Sequence, residues 1–192
     1  IGSCPFCRVP APLSDEEKVA RVKKLMERGN ADAYSQLAGF YADGEMGMPP
    51  DYTKAIELSL KAGELGCAEA YYNVGVAYDN GNGVDIDKKK AKYYYELAAM
   101  GGDVEARYSL GCMEGQAGNV QRAYKHMMIA AKLGHKEALD KVKRGFTECY
   151  ITKDEYEQAL RTYHERQVEA KSDARDKAVE YLEIARNSMD RS

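Results

Sequence analysis

The sequence predicts an all-α fold, an α-α solenoid of antiparallel helix pairs that ends in a long C-terminal helix, and three observations carry that expectation. Four segments superimpose: Gly29-Asn-Ala-Asp-Ala33, Gly66-Cys-Ala-Glu-Ala70, Gly102-Asp-Val-Glu-Ala106 and Gly134-His-Lys-Glu-Ala138, with their alanines 37, 36 and 32 residues apart. Spacing of this size is the signature of helical repeat arrays. A second set of small residues keeps the same register: Lys54-Ala55, Lys90-Ala91 and Arg122-Ala123, each alanine seven residues ahead of Ala62, Ala98 and Ala130. Finally, neither Gly nor Pro interrupts the chain between Gly145 and Ser192.

Each unit reads as two helices. In the second unit Ala70, Val74, Ala77 and Tyr78 fall at i, i+4, i+7 and i+8, one face of an amphipathic helix. Asn80-Gly-Asn-Gly83 breaks it, Ala91, Tyr94, Tyr95, Ala98 and Ala99 resume helical spacing, and Gly101-Gly102 stops it. Eight residues after each first-helix alanine stands a ring, Tyr41, Tyr78 and Phe146, except in the third unit, which has Glu114. One such pair cannot bury its apolar face alone, so neighbours must stack. The 15 tyrosines, against 3 Phe and no Trp, are therefore expected to be mainly inter-helix packing. The second unit is expected to be the stability centre.

The motif Tyr78-x-x-Gly81-x-Gly83-Val84-x-x-Asp87-x-x-Lys90-Ala91-x-x-Tyr94-x-x-x-Ala98-Ala99 resembles the consensus of the Sel-one-like repeat, a relative of the tetratricopeptide repeat. The resemblance runs from about Ala31 to Gly145. The first unit has one extra loop residue, in Gly44-Glu-Met-Gly47 with Pro49-Pro50. The third has a shortened loop, Gly115-Gln-Ala-Gly118, and the fourth keeps only its first helix clearly. The resemblance implies a right-handed solenoid and a scaffold or adaptor role, and it brings no catalytic residues with it.

Both ends carry further signals. Ser14-Asp-Glu-Glu17 and Thr152-Lys-Asp-Glu155 are capping boxes that start helices. The first opens a capping helix with Val19, Val22 and Met26 as its stripe. The second opens one long helix, or two nearly continuous ones, from about Lys153 to Asn187. Its stripe begins with Tyr156, Leu160 and Tyr163, weakens through Gln167, Ala170 and Ala174, and recovers at Tyr181 and Leu182. The first half is expected to cap the repeats and the second half to dock on a partner. The alternative is a hairpin near Lys171-Ser172-Asp173. Upstream of the first capping box, Cys4-Pro-Phe-Cys7 resembles the last ligand pair of a RING-type zinc domain. Two thiolates two residues apart can grip one Zn²⁺, but tetrahedral zinc needs four ligands, so Cys4 and Cys7 are half a site. With the start at Ile1 rather than Met, the chain is expected to be part of a longer polypeptide. The expected domains are residues 1–13 (RING remnant or linker), 14–150 (repeats) and 151–192 (helical extension).

Composition narrows the function classes. A net charge of −3 argues against a dedicated nucleic-acid binder. No run approaches the roughly 18 apolar residues of a spanning helix. Five cysteines without a secretory pattern fit free thiols in an intracellular, reducing compartment. His126, His135 and His164 share no short spacing and are expected at the surface. The Asn80-Gly-Asn-Gly83 loop lacks the Lys-Ser/Thr of a P-loop and is expected to be a repeat turn.

Alignment with the tetratricopeptide pattern places the groove-facing positions at one residue before each first-helix alanine and at two, six, nine and ten after it. Eight of these are acidic (Asp32, Asp43, Glu69, Asp79, Glu105, Glu137, Asp140 and Glu148) and one is basic, Arg144. About half of the acids also complement helix dipoles. Ser35, Tyr72, Asp79 and Asn80 are the candidate partner-binding residues of the first two units. Tyr108 and Asp140 are those of the later ones, and Tyr181 and Leu182 those of the terminal helix. The chain is expected to be a protein-interaction scaffold or adaptor in a hetero-complex, binding a basic or amphipathic protein segment, with no nucleic acid, membrane insertion, catalysis or cofactor. Zinc enters only with an upstream RING, and that RING would make the chain the substrate-recognition part of a ubiquitin ligase.

Overall fold

The computed structural model of the chain describes residues 14–189, with side chains through residue 174. Cys4 and Cys7 lie outside the described residues, as do the side chains of Tyr181 and Leu182. Nine helices follow one another in this span: α1 Asp15–Met26, α2 Ala31–Asp43, α3 Tyr52–Glu64, α4 Ala68–Asn80, α5 Lys88–Met100, α6 Val104–Gln116, α7 Val120–Lys132, α8 Lys136–Thr147 and α9 Lys153–Met189. They form the helix pairs α2/α3, α4/α5, α6/α7 and α8/α9, with α1 ahead of the first, and belong to the expected all-α solenoid class. The chain divides into two compact units between Ala106 and Arg107.

The repeated Gly-x-x-x-Ala segments are the junctions between one pair and the next. Gly29, Gly66, Gly102 and Gly134 all adopt positive φ, between 75° and 100°, which a side chain would resist. The residue after each glycine donates its N–H to a carbonyl five residues back: Asn30 to Leu25, Cys67 to Ala62, Asp103 to Ala98 and His135 to Ala130. This is the 6→1 bond of a Schellman turn. The same residue then caps the next helix. Asn30 Oδ1 accepts from Ala33 N–H at 2.9 Å, Asp103 Oδ1 from Ala106 N–H at 2.7 Å, and His135 Nδ1 from Ala138 N–H at 3.1 Å. Cys67 occupies the equivalent place without a side-chain cap. His135, expected at the surface, is buried, its ring supplying this cap and lying against Tyr108.

Within a pair, the loop closes on a second recurring bond. Asp51 N–H donates to Tyr41 O (2.8 Å), Asp87 N–H to Tyr78 O (2.9 Å) and Asn119 N–H to Glu114 O (2.8 Å), although the third loop is much shorter. In the first two pairs Lys54 and Lys90 lie over the Tyr41 and Tyr78 rings, 4.3 and 5.0 Å from the centroids. The third has no ring to cover. There the buried Glu114 carboxylate accepts from the Asn119 side-chain amide at 2.8 Å. In the Asn80–Gly83 turn, Gly81 ends α4 at φ 80° and Gly83 (φ 73°) lies so close to Tyr52 that a Cβ would fall 2.4 Å from the Tyr52 Cβ.

Small residues let the helices approach. Ala62, Ala70, Ala91, Ala98, Ala130 and Ala138 are all fully buried. A Cβ on Gly75 would fall 2.6 Å from the Tyr95 ring, one on Gly63 2.5 Å from Tyr71, and one on Gly145 2.5 Å from Tyr124. The tyrosine excess is largely this packing. Tyr94 lies parallel to Tyr78 at 5.7 Å, 6.2 Å from Tyr71 and edge-on to Tyr93 at 5.2 Å.

The fourth unit corrects an expectation: its second helix exists and is the first half of α9. The Phe146 and Tyr156 rings stack at 5.0 Å, Ala159 is fully buried, and Lys132 Nζ donates to Gln158 at 2.9 Å. Thr152 and Glu155 form the expected capping box. α9 then continues without a break through residues 171–173, so the hairpin does not form. Its 37 residues span roughly 55 Å, and Val168 is already 69% exposed.

Replacing Ala98 by Leu should overpack the α5 contact and cost about 1–3 kcal/mol, whereas Leu at the exposed Lys89 should change little. Thermal unfolding of the two variants checks this, and equal effects would disprove the packing register. Burial, with the neighbouring Tyr78, Tyr93 and Tyr71 phenols, holds Tyr94 above the ordinary tyrosine value. The neutral phenol is thus favoured by folding. That contribution is intact below about pH 10, the unfolded-chain value, and is lost as pH rises through the folded value. Tyr94→Phe should therefore flatten the fall in melting temperature above pH 10, and parallel wild-type and variant curves would remove Tyr94 as a cause.

Candidate functional site

The groove positions of the first helices fall where the packing leaves them outward. In α4, Ala70, Val74 and Ala77 turn into the core, so Glu69, Tyr72, Val76, Asp79 and Asn80 are left half-buried or exposed. The same holds for Asp32, Ser35, Gly39, Ala42 and Asp43 of α2, and for the corresponding residues of α6 and α8.

In the first unit these positions frame two hollows. One, of about 300 Å³, has Ala42, Tyr52, Ile56 and Val76 among its walls. The other, of about 460 Å³, brings Asp32, Ser35 and Glu69 together, and both hollows share Gly39, Asp43 and Asn73. Ser35 and three of the acids expected to line a groove therefore do converge. Tyr72 instead leans its ring against Tyr95 at 5.6 Å. Asp79 is engaged by Lys88, whose Nζ donates to Asp79 Oδ1 at 2.7 Å and to its carbonyl at 2.9 Å. Asn80 is exposed at the end of α4.

In the second unit a hollow of about 500 Å³ is lined by Cys112, Gly115, Gln116, Tyr124, Lys141 and Glu148, among others. Tyr108 stacks on His135 at 4.4 Å and 16°, so the ring is part of the junction as well as of the outward face. Asp140 is exposed on α8. Arg144 Nε donates to Glu148 Oε1 at 2.7 Å, which removes the single basic groove position from play by pairing it locally. Burial pushes the Tyr124 hydroxyl above its ordinary value, with the nearby Glu148 carboxylate adding to the shift.

Sequence reading missed the hollow beside Ser59. Its signal was available: four residues after the second-helix alanine stand Tyr95 and Met127 in the second and third pairs, but Ser59 in the first. Reading also missed the capping role of His135. Among the described residues no group of three or more His, Cys, Asp or Glu side chains is placed to hold a metal ion. No helix among them is long and apolar enough to cross a membrane. Cys67, Cys112 and Cys149 are free thiols.

Comparison with known proteins matches the Sel1 repeat model to residues 31–67, 68–103 and 104–135. Chitin synthase regulatory factor 4 of Schizosaccharomyces pombe is 26% identical over 135 residues, 70% of this chain and 21% of that protein. The ERAD-associated E3 ubiquitin-protein ligase component HRD3B of Arabidopsis thaliana is 30% identical over 113 residues, 58% of this chain and 18% of that protein. The chain thus spans about a fifth of the length of these curated relatives. A Sel1 repeat protein from Oxalobacter formigenes superimposes with a TM-score of 0.67 at 25% identity, covering 79% of this chain and 64% of that one. The protective antigen c5321 of uropathogenic Escherichia coli, which displays an SLR fold, does so with 0.65 at 23% identity, covering 77% and 33%.

His135→Ala should cost about 1 kcal/mol through the lost cap and more through the lost stack on Tyr108. His135→Asn keeps a capping acceptor and should recover the first part only. Chemical denaturation of the two variants measures the difference, and equal losses would deny the capping role.

Proposed function

The chain belongs to the Sel1 repeat family, and on that premise we propose that it is a protein-interaction scaffold, an adaptor or bound subunit of a larger assembly that performs no chemistry of its own. The observation that carries the reading is the division of labour along each first helix. The framework alanines are closed against neighbouring helices, while none of the groove-facing positions is buried. The partner surface is acidic. Asp32, Asp43 and Glu69 gather at one place in the first unit, which favours a basic or amphipathic segment and disfavours nucleic acid. Affinity purification of the native protein, with identification of what accompanies it, tests the reading.

The second half of α9 is a further docking element in this proposal, since the first half is covered by α7 and α8 and the exposed stretch begins by Val168. The boundary expected at residue 150 then moves into α9, whose first half completes the fourth helix pair and whose second half extends the repeats. A second reading, substrate recognition within a RING-type ubiquitin ligase, is favoured by Cys4-Pro-Phe-Cys7. It is decided by whether the residues upstream of Ile1 supply the remaining six zinc ligands.

Reversing Asp43 and Glu69 to Lys should weaken association with the co-purified partner and flatten its salt dependence. Unchanged affinity at both low and high salt would move the interface away from the first unit. Deleting everything after Ser172 should leave the melting temperature unchanged and lose part or all of the partner binding. A much earlier melt would assign the second half of α9 to the folded core instead.

A further inference from the structure

The repeat register pairs a small residue of each first helix with a residue of the second. Gly75 faces Tyr95 and Gly111 faces Met127, so closely that a Cβ would meet them at 2.6 and 2.8 Å. The corresponding residues of the first pair are Ala38 and Ser59, and neither is large enough to fill the space; both line the open hollow of about 300 Å³. Ser59 is only 4% exposed, and its short side chain lies on the wall of this hollow where Tyr95 and Met127 fill the equivalent space. The space left unfilled beside it is one that a ligand can enter.

The adjoining hollow adds the charge. It shares Gly39, Asp43 and Asn73 with the first, contributes Asp32 and Glu69, and no Lys or Arg lines either one. We propose that the two hollows are one two-part docking site for an extended protein segment, which seats an apolar side chain between Ser59 and Val76 and reaches with a lysine or arginine to Asp32, Asp43 and Glu69. The inference rests on the scaffold reading and deepens it. Ala38, Ala55 and Ile56 reward the apolar group by burial. Ser59, Asn73 and Asn82 offer hydrogen bonds to the segment's backbone, as an extended peptide requires when it leaves water. The three carboxylates make the neighbouring position selective for a cation, because a carboxylate of the partner there would meet only like charge.

The test uses two synthetic peptides that each carry one Leu and one Lys, two and three residues apart, followed by ¹H–¹⁵N spectra of the whole chain. At least one peptide should shift the amides of residues 38–43, 59 and 73–77. The same peptide with Glu in place of Lys should bind at least tenfold more weakly. The double variant A38G/S59M copies the third pair and fills the hollow, so it should keep the wild-type melting temperature and also lose at least tenfold. If it fails to fold, Val76→Lys, at a half-buried wall position, should give the same loss. Absence of shifts with either peptide, equal binding of the Glu peptide, or undiminished binding to a folded variant would overturn the site. Shifts confined to residues 107–174 would also overturn it while leaving the scaffold reading in place. Failure of the native protein to retain any partner would instead remove the scaffold reading itself.

Discussion

Backbone-close contact between helices, made possible by alanine and glycine, is the constraint on which the rest of the protein depends. Each second helix carries an alanine that is fully buried, Ala62, Ala98 or Ala130, and so does each following first helix, at Ala70, Ala106 and Ala138. Alanine has no side-chain freedom to lose and adds nothing to the separation between axes, but it also buries little apolar area. The rings and thioethers provide that area, and they fit only because a glycine lies opposite. Tyr95 occupies the space of a missing Cβ at Gly75, Tyr71 the space at Gly63, and Met127 the space at Gly111. Interiors packed this tightly transmit any added methylene to their neighbours. The size of one residue therefore dictates the identity of the residue that faces it.

Repeat registration comes from the junctions. A glycine at positive φ, a Schellman bond and an N-cap residue occur in immediate succession, so one short segment both ends a helix and starts the next. At three of the four junctions the cap chemistry varies among Asn, Asp and His while the bond to the alanine N–H three residues later is kept, and at the fourth Cys67 makes no side-chain cap. Within the pairs the same economy holds. The third loop has lost the ring and the lysine that covers it, and a carboxylate–amide contact between Glu114 and Asn119 takes over. A loop can thus shorten by several residues with no change in the backbone bond that closes it.

The proposed function rests on what this framework leaves uncommitted. The fully buried alanines of the first helices lie on one side, while the outward positions of the other side stay half-buried or exposed even where Tyr72 and Tyr108 also pack, against Tyr95 and His135. Charge on that side is partly neutralised locally, at Asp79 by Lys88 and at Glu148 by Arg144, and such exposed pairs contribute little stability. Asp32, Asp43 and Glu69 instead line one hollow together, and Asp43 also borders the apolar one beside Ser59. That hollow exists because Ser59 departs from the size rule obeyed by Tyr95 and Met127. Under-filling a repeated contact in this way opens a hollow at a position where the other pairs place a larger side chain.

Residue spacing and local capping signals were enough to place the helix pairs, their register and most of their ends. Alanine and glycine spacing encodes close approach, and capping boxes at Ser14 and Thr152 encode starts through local hydrogen bonds that need no distant partner. The acidic outward positions were legible for the same reason, since helical periodicity alone assigns faces. Tertiary structure decided matters that depend on two helices at once. It made α9 the missing partner of α8, since Phe146 and Tyr156 meet only when the chain turns back at Cys149 and Tyr150. It buried His135, which no local signal separates from a surface histidine until Tyr108 lies against it. It also opened the hollow beside Ser59, because an unfilled volume is a property of facing residues from different helices and belongs to no single position in the chain.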